Sequence, residues 1–337
     1  MEPYPWSREG RMGRGLLPEG DEHPTIVAIG CSTHWDYALL VPVACLLWKE
    51  VVGHSPVALL VGSEAEWKQT PLTSVALDAI RELGSIGVGF EHIPTSDRYD
   101  AGTLAQSVRQ HYAAASHVRW DQWVTVSDAD LFPLKRDFYH QHDGRDEPAV
   151  CYFANGDCFQ GKEEALSGWA AQRPFQSIPT CHVVMRATTW RELYGYGVLP
   201  REPEYARLGH VAAALYATLD RKLLPRLEGK DPRGRATEAW YFDQYYLTER
   251  LCRQEWFSDR ALLVPRTSQT ERGHLVLWEL GGGWQEGIFD PSWVDVHVRH
   301  GVYDKRRWLP LLDAIRHALP SREAWARDYF ERATQHV

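Results

Sequence analysis

Four short apolar runs recur through the first 130 residues: Thr25–Gly30 (TIVAIG), Val57–Gly62 (VALLVG), Gly87–Ile93 (GVGFEHI) and Trp123–Ser127 (WVTVS). Their length and β-branched content predict strands covered on both faces. The intervening segments Asp36–Val52, Thr73–Leu83 and Thr103–Ala115 read as helices, with Thr103 as a candidate cap. Strands alternating with helices predict an α/β fold with a mixed, mostly parallel central sheet flanked by helices. The crossovers between parallel strands are expected to be right-handed.

After Asp130 the rhythm changes. Ala149–Phe153, His182–Arg186, the ALLVP run at 261–265 and Val294–Val298 are further strand candidates. Thr188–Tyr194, Val211–Leu223, Glu238–Arg253 and a closing segment over 311–334 read as helical. Residues 1–23 form a polar, Gly/Pro-containing arm. The rest divides at 134 and at 310, within one large domain.

Composition excludes several classes. The net charge is −8 over 337 residues, which argues against a nucleic acid or an anionic membrane as the main partner. The longest apolar run, Tyr37–Trp48, is too short to span a bilayer and contains Pro42. The N-terminus has no apolar core of a signal peptide. A soluble, cytoplasmic protein is the expectation, and a lumenal fragment of a Golgi protein is the alternative. None of the six cysteines forms a CxxC pair, so free thiols are expected rather than a zinc cluster. Fifteen tryptophans suit either a core of large rings or a stacking wall for flat ligands.

The chemistry concentrates in WVTVSDADLFPL, residues 123–134. An apolar strand ends at Ser127 and delivers Asp128 and Asp130 one residue apart. Ligands of open α/β sheets bind beyond the carboxyl ends of the strands. Two carboxylates there suit a hard divalent cation that shares its remaining positions with water and diphosphate oxygens. Haloacid-dehalogenase-type phosphatases also end a strand in Asp-x-Asp, but after the first strand and with a small or β-branched continuation. Here Leu131 and Phe132 follow, after about four strands.

This stretch resembles the DxD motif of GT-A-fold, nucleotide-sugar-dependent glycosyltransferases. TIVAIGCSTHWDYALLVPVACLLW and TLAQSVRQHYAA are similar in order to the nucleotide-binding start of that fold and to its donor-side helix. The resemblance covers roughly residues 24–310. It implies a donor-binding half over 24–134 and an acceptor-binding, catalytic half over 135–310. It implies Mn2+ or Mg2+ bound by Asp130, with Asp128 on the metal or the ribose, and a UDP- or GDP-sugar donor, UDP favoured. The metal would neutralise the leaving diphosphate.

Other candidates surround this motif. Cys31, Ser32, Thr33 and Tyr37, at the exit of the first strand, are candidates for base and ribose contacts. Gln106 and Arg109 share a helix face, and Arg109 can reach a DxD carboxylate or a diphosphate. In TEAWYFDQYYLTERL, Glu238 suits an inverting base and the Asp243-Gln244 pair resembles the retaining arrangement, so both remain candidates. Asp157 and Asp295 are the next carboxylates to consider. In WVDVHVRHGVYDKRRW, the pattern approximates a C-terminal His-x-x-Gly…Lys element, with His297 or His300 on the metal and Lys305 on the diphosphate.

The expected activity is therefore transfer of a hexosyl or pentosyl group from a nucleotide sugar to a hydroxyl of a glycan or glycoconjugate. A sugar-phosphate nucleotidyltransferase shares a similar sheet, but GCSTHWDY lacks its Gly-rich basic loop. A non-catalytic glycan- or nucleotide-binding protein on a transferase scaffold is the alternative outside enzymes.

Overall fold

The computed structural model describes residues 24–115, 118–152, 178, 180–194, 209–227, 239, 241–264, 272–275, 290, 292–298 and 305–335. The arm over 1–23, Asp157, Glu238 and His300 lie outside the described residues. Seven strands form one sheet in the order β3–β2–β1–β4–β7–β6–β8. They are β1 (Ile26–Ser32), β2 (Ser55–Val61), β3 (Gly89–Ile93), β4 (Trp123–Asp128), β6 (Ala149–Tyr152), β7 (His182–Arg186) and β8 (Leu262–Val264). Strands β1 to β4 pair in parallel. β7 runs antiparallel to both β4 and β6, and β8 is parallel to β6. Three short strands, β5 (Leu131–Pro133), β10 (Asp295–Val298) and β9 (Arg272–Leu275), form a second sheet. The mixed, mostly parallel sheet flanked by helices is the α/β architecture expected from the sequence.

The period of two along β1 divides the core. Val27, Ile29 and Cys31 face one apolar cluster and Ala28 faces the other. The first cluster is covered by α1 (Trp35–Ala38), α2 (Val41–Leu47), α4 (Pro71–Leu83), α10 (Lys305–Ala318) and α11 (Glu323–Thr334), with the short α3 (Glu64–Trp67) contributing Trp67. The second lies under α5 (Ala101–Ala115), α6 (Ala187–Tyr194), α7 (His210–Thr218) and α8 (Phe242–Cys252), with the short α9 (Phe257–Arg260) beside it.

Several boundaries differ from the sequence expectation. Asp36–Val52 is not one helix but α1, α2 and a π-turn over Trp48–Val52. Pro42 can only join a helix near its start, and it stands in the first turn of α2. Gly53, at φ 87°, ends the segment in the left-handed conformation. Asp100 rather than Thr103 caps α5, its carboxylate accepting from the N–H groups of Gly102 and Thr103 at 2.8 and 3.3 Å. The last helices begin at Lys305 rather than 311, because Trp308, Leu311, Leu312 and Ile315 make one buried stripe. β5 and β9 are absent from the sequence reading, since three- and four-residue strands carry no measurable periodicity.

Among the described tryptophans, Trp48, Trp67, Trp190 and Trp308 are fully buried in the core, whereas Trp35 and Trp120 are exposed. The five described cysteines are free thiols. No described helix is long and apolar enough to cross a membrane.

One approach decides where α5 lies. A Cβ on Gly30 would stand 1.8 Å from the carbonyl oxygen of Ala105. Only a glycine lets the α5 backbone rest on β1 here, next to Asp128, with which Gly30 is in register.

At the opposite end of β1, three imidazoles crowd together. The His54 ring lies 4.8 Å from His140 and 5.8 Å from His142. His54 is buried with neither ring nitrogen hydrogen-bonded among the described residues. Burial, then His140, His142 and Arg136, hold it at about 2. Burial takes His142 to about 4, against the pull of Asp143, and takes His111 to about 4. Each group stays neutral in the folded chain and becomes protonated on unfolding. Stability is therefore complete above about pH 6.5 and falls as the pH drops toward the folded values. Urea unfolding should show little change between about pH 7.5 and pH 7, then a loss approaching about 1.4 kcal/mol per pH unit for each such histidine between about pH 6 and pH 5. A flat profile would mean that these rings accept protons in the folded state without cost.

Candidate functional site

The carboxyl ends of β1 and β4 meet where Gly30 pairs with Asp128. From the helical side, the buried Arg109 of α5 reaches this point. Its Nε–H donates to the backbone carbonyl of Gln106 at 3.0 Å, which fixes the guanidinium. Nη1 is paired with Asp128. Nη2 donates to Asp243 Oδ2 at 2.8 Å and to Thr180 Oγ1 at 3.2 Å. One guanidinium thus joins β4, α5, the turn before β7 and the start of α8. Burial opposes its charge, but Asp128 and Asp243 outweigh burial and raise its pKa further.

Asp243 is almost fully buried. Its Oδ2 also accepts from Thr180 Oγ1 at 3.1 Å, and Gln110 Nε2 holds its backbone carbonyl at 3.1 Å. Burial raises the carboxyl pKa, against the pull of Arg109 and with the repulsion of Asp128. Its Oδ1 is buried with no hydrogen-bond partner among the described residues, as is Oε1 of both Gln106 and Gln244. An unpaired buried acceptor is costly, and its natural complement is an O–H donor.

The second half of the site comes from the small sheet. β10 runs antiparallel to β5 with His297 opposite Leu131, and the Val298 N–H donates to the Asp130 carbonyl at 2.9 Å. This places His297 Nε2 3.2 Å from Asp130 Oδ2. Burial would raise the Asp130 carboxyl, yet His297, with Arg109 behind it, holds it below its ordinary value.

Arg109, Asp128, Asp130, Asp243 and His297, far apart in sequence, are therefore assembled at one end of the sheet. Other candidates fall differently. Cys31 faces the core, where burial raises its thiol pKa well above normal, so its side chain is not offered to a ligand at this edge. Ser32 is buried, its Oγ accepting from the His34 N–H at 3.4 Å, and Thr33 and Tyr37 are half-buried beside it. Lys305 opens α10. Asp295 is fully buried, out of reach of any acceptor. Thr180, Gln110 and Gly30 belong to the site architecture without any motif to announce them.

Among the described residues, no three His, Cys, Asp or Glu side chains converge as a metal site. Asp128 is turned toward Arg109, which leaves Asp130 and His297 as a two-ligand edge. Their 3.2 Å separation is close to the ~3 Å between adjacent ligands of an octahedral ion with bonds of about 2.1 Å. The pair therefore fits an ion that takes its other ligands from a diphosphate and water.

No family model and no curated protein matches the chain. Three similar solved structures are glycosyltransferases. The galactosyltransferase LgtC, in complex with donor and acceptor sugar analogs, is 11% identical at a TM-score of 0.46, over 93% of this chain and 96% of that one. WbbM, a bifunctional glycosyltransferase in its apo form, is 11% identical at 0.48, over 94% of this chain and 53% of that one. Glucosyl-3-phosphoglycerate synthase from Mycobacterium tuberculosis, in complex with Mn2+, UDP and phosphoglyceric acid, is 13% identical at 0.35, over 92% and 78%. These likenesses concern the course of the chain, and the chemistry rests on the side chains described above.

Proposed function

We propose that the protein is a metal-dependent glycosyltransferase, moving a sugar from a nucleotide diphosphate, UDP favoured, to a hydroxyl of a glycan or glycoconjugate. The observation that carries this reading is the Asp130–His297 edge beside the Arg109-bridged carboxylates, at the carboxyl ends of β1 and β4.

Asp130 and His297 would hold Mn2+ or Mg2+, and the ion would stabilise negative charge on the departing diphosphate. Asp128, half-exposed and paired with Arg109, would face the ribose or a metal-bound water. Arg109 does not offer its guanidinium freely to the diphosphate, because two carboxylates already occupy it. Its role is to hold Asp128 and Asp243 in one rigid frame.

Asp243 matches a group that orients the donor sugar. Its Oδ1 and the neighbouring Gln244 Oε1 are buried acceptors, which a sugar hydroxyl would reach only if the site opens around them. Oδ2 is committed to Arg109 and Thr180, so Asp243 is poorly placed to take a proton from an acceptor in bulk water. Glu238 stays the candidate for that role, and Lys305 the candidate for the diphosphate.

The test is a panel of UDP- and GDP-sugars incubated with the protein and Mn2+. Slow release of the nucleoside diphosphate, as water replaces the acceptor hydroxyl at the anomeric carbon, is expected from one donor and should stop in EDTA. Absence of release from every donor, with no shift in thermal midpoint, would refute the transferase reading.

A further inference from the structure

The ligand-type groups of this site come from two different sheets. Asp128 ends β4 of the large sheet and Asp130 follows it, whereas His297 stands on β10 of the small one. Two backbone hydrogen bonds, Val298 N–H to Asp130 and Leu134 N–H to Val294, both 2.9 Å, align β10 along β5. But β5 has three residues and is separated from β4 by only Ala129 and Asp130. Its own ladder leaves open how the small sheet is set against the large one.

Beneath it lies a fully buried polar triad. Tyr139 O–H donates to Asp295 Oδ2 at 2.9 Å, and His182 Nε2 stands 3.1 Å from the same oxygen and 3.4 Å from the Tyr139 hydroxyl. Each member belongs to a different part of the frame. His182, on β7, is directly opposite Ser127, the residue before Asp128. Asp295 is on β10, two residues from His297 and opposite Pro133. Tyr139 lies in the 3-10 turn Asp137–His140 that follows β5. Trp48 closes the group: its ring centre is 4.8 Å from Tyr139 and 5.6 Å from His182, and its Nε1–H donates to Ser127 Oγ at 3.3 Å.

We propose that the Asp295–His182–Tyr139 triad is a positioning element that ties β10 to β4 and so sets His297 against Asp130. A buried carboxylate cannot shift without leaving polar groups unpaired in an apolar setting, so the triad resists sliding of one sheet over the other. Asp295 is thus a positioning residue, not a base. The metal in this scheme rests on the transferase reading above; the placement of His297 does not.

Two conservative variants of the full chain test this. Tyr139→Phe keeps the ring against Trp48 and removes one donor, and Asp295→Asn keeps the shape and removes the charge. In metal-free protein labelled at histidine, the His297 ring signals in nitrogen–proton NMR spectra should move in both. Mn2+ affinity, read by electron paramagnetic resonance of the free ion, should weaken by on the order of 10- to 100-fold. Leu312→Ala, in α10 away from the triad, should lower the thermal midpoint and leave both readouts at parental values. His297 signals that stay in place, or Mn2+ affinity within about twofold of the parent in both variants, would overturn the proposal. If Asp295→Asn does not fold, Tyr139→Phe decides alone. If the parent itself binds no Mn2+, the metal reading fails, and the His297 signals decide the positioning role by themselves.

Discussion

Arg109→Met is expected to lower the free energy of unfolding by about 3–5 kcal/mol, the range for removing one partner of a buried ion pair. The methionine refills the volume of the stem but strands Asp243, whose Oδ2 would keep only the Thr180 hydroxyl. Asp243 is 2% exposed, so water cannot replace the guanidinium. Asp128, half-exposed, can recover part of its loss in solvent. The double variant Arg109→Met/Asp243→Leu removes the stranded charge and should regain most of the stability, since replacing both partners with apolar groups is often neutral. Arg109→Lys should fall between: an ammonium keeps the charge but cannot span two carboxylates and the Thr180 hydroxyl as a planar fork does. Urea unfolding of the three variants decides this. A double variant as unstable as Arg109→Met would mean that the loss comes from packing around the stem rather than from the unpaired carboxylate.

That clamp shows how far the sequence could be read. The DxD segment was legible because its physics is local: an apolar strand must end, and the residues after it must face the sheet's carboxyl edge. Arg109 was visible as a helix residue three positions from Gln106, yet its partner Asp243 lies 134 positions away and no periodicity links them. The first, second and fourth strands were legible because each is a mostly apolar, β-branched run, and the third, which carries Glu91 and His92, because it falls in the alternation of strands with helices. β5 and β10 were harder: β10 was read as a strand, but β5 looked like an apolar pair after the motif. Their pairing, which carries His297 to Asp130, exists only in three dimensions. Asp295 illustrates the limit from the other side. A carboxylate near a candidate histidine looks catalytic in one dimension, and its complete burial against Tyr139 and His182 assigns it a different task.

Asp130→Asn is the substitution with the largest expected effect on activity. The amide preserves the shape of the side chain and its backbone contact with Val298, so the β10–β5 ladder should survive. What it removes is one full negative charge from a site where His297 and Arg109 hold the carboxyl ionised against its burial. An amide oxygen is a weak ligand for a hard divalent ion, and its N–H2 would be turned toward either the ion or the His297 ring. Metal-dependent nucleotide binding should be lost. Transfer should fall by on the order of 10³-fold, comparable to the loss of a main electrostatic stabiliser of a leaving group. The unfolding free energy should change much less than in Arg109→Met, because Asp130 lies at the site edge and not inside the Arg109–Asp243 ion pair. Isothermal titration with UDP and GDP in the presence of Mn2+, beside a transfer assay, separates the outcomes. Parental turnover in this variant would remove Asp130 from the chemistry and leave its contact with His297 as purely structural.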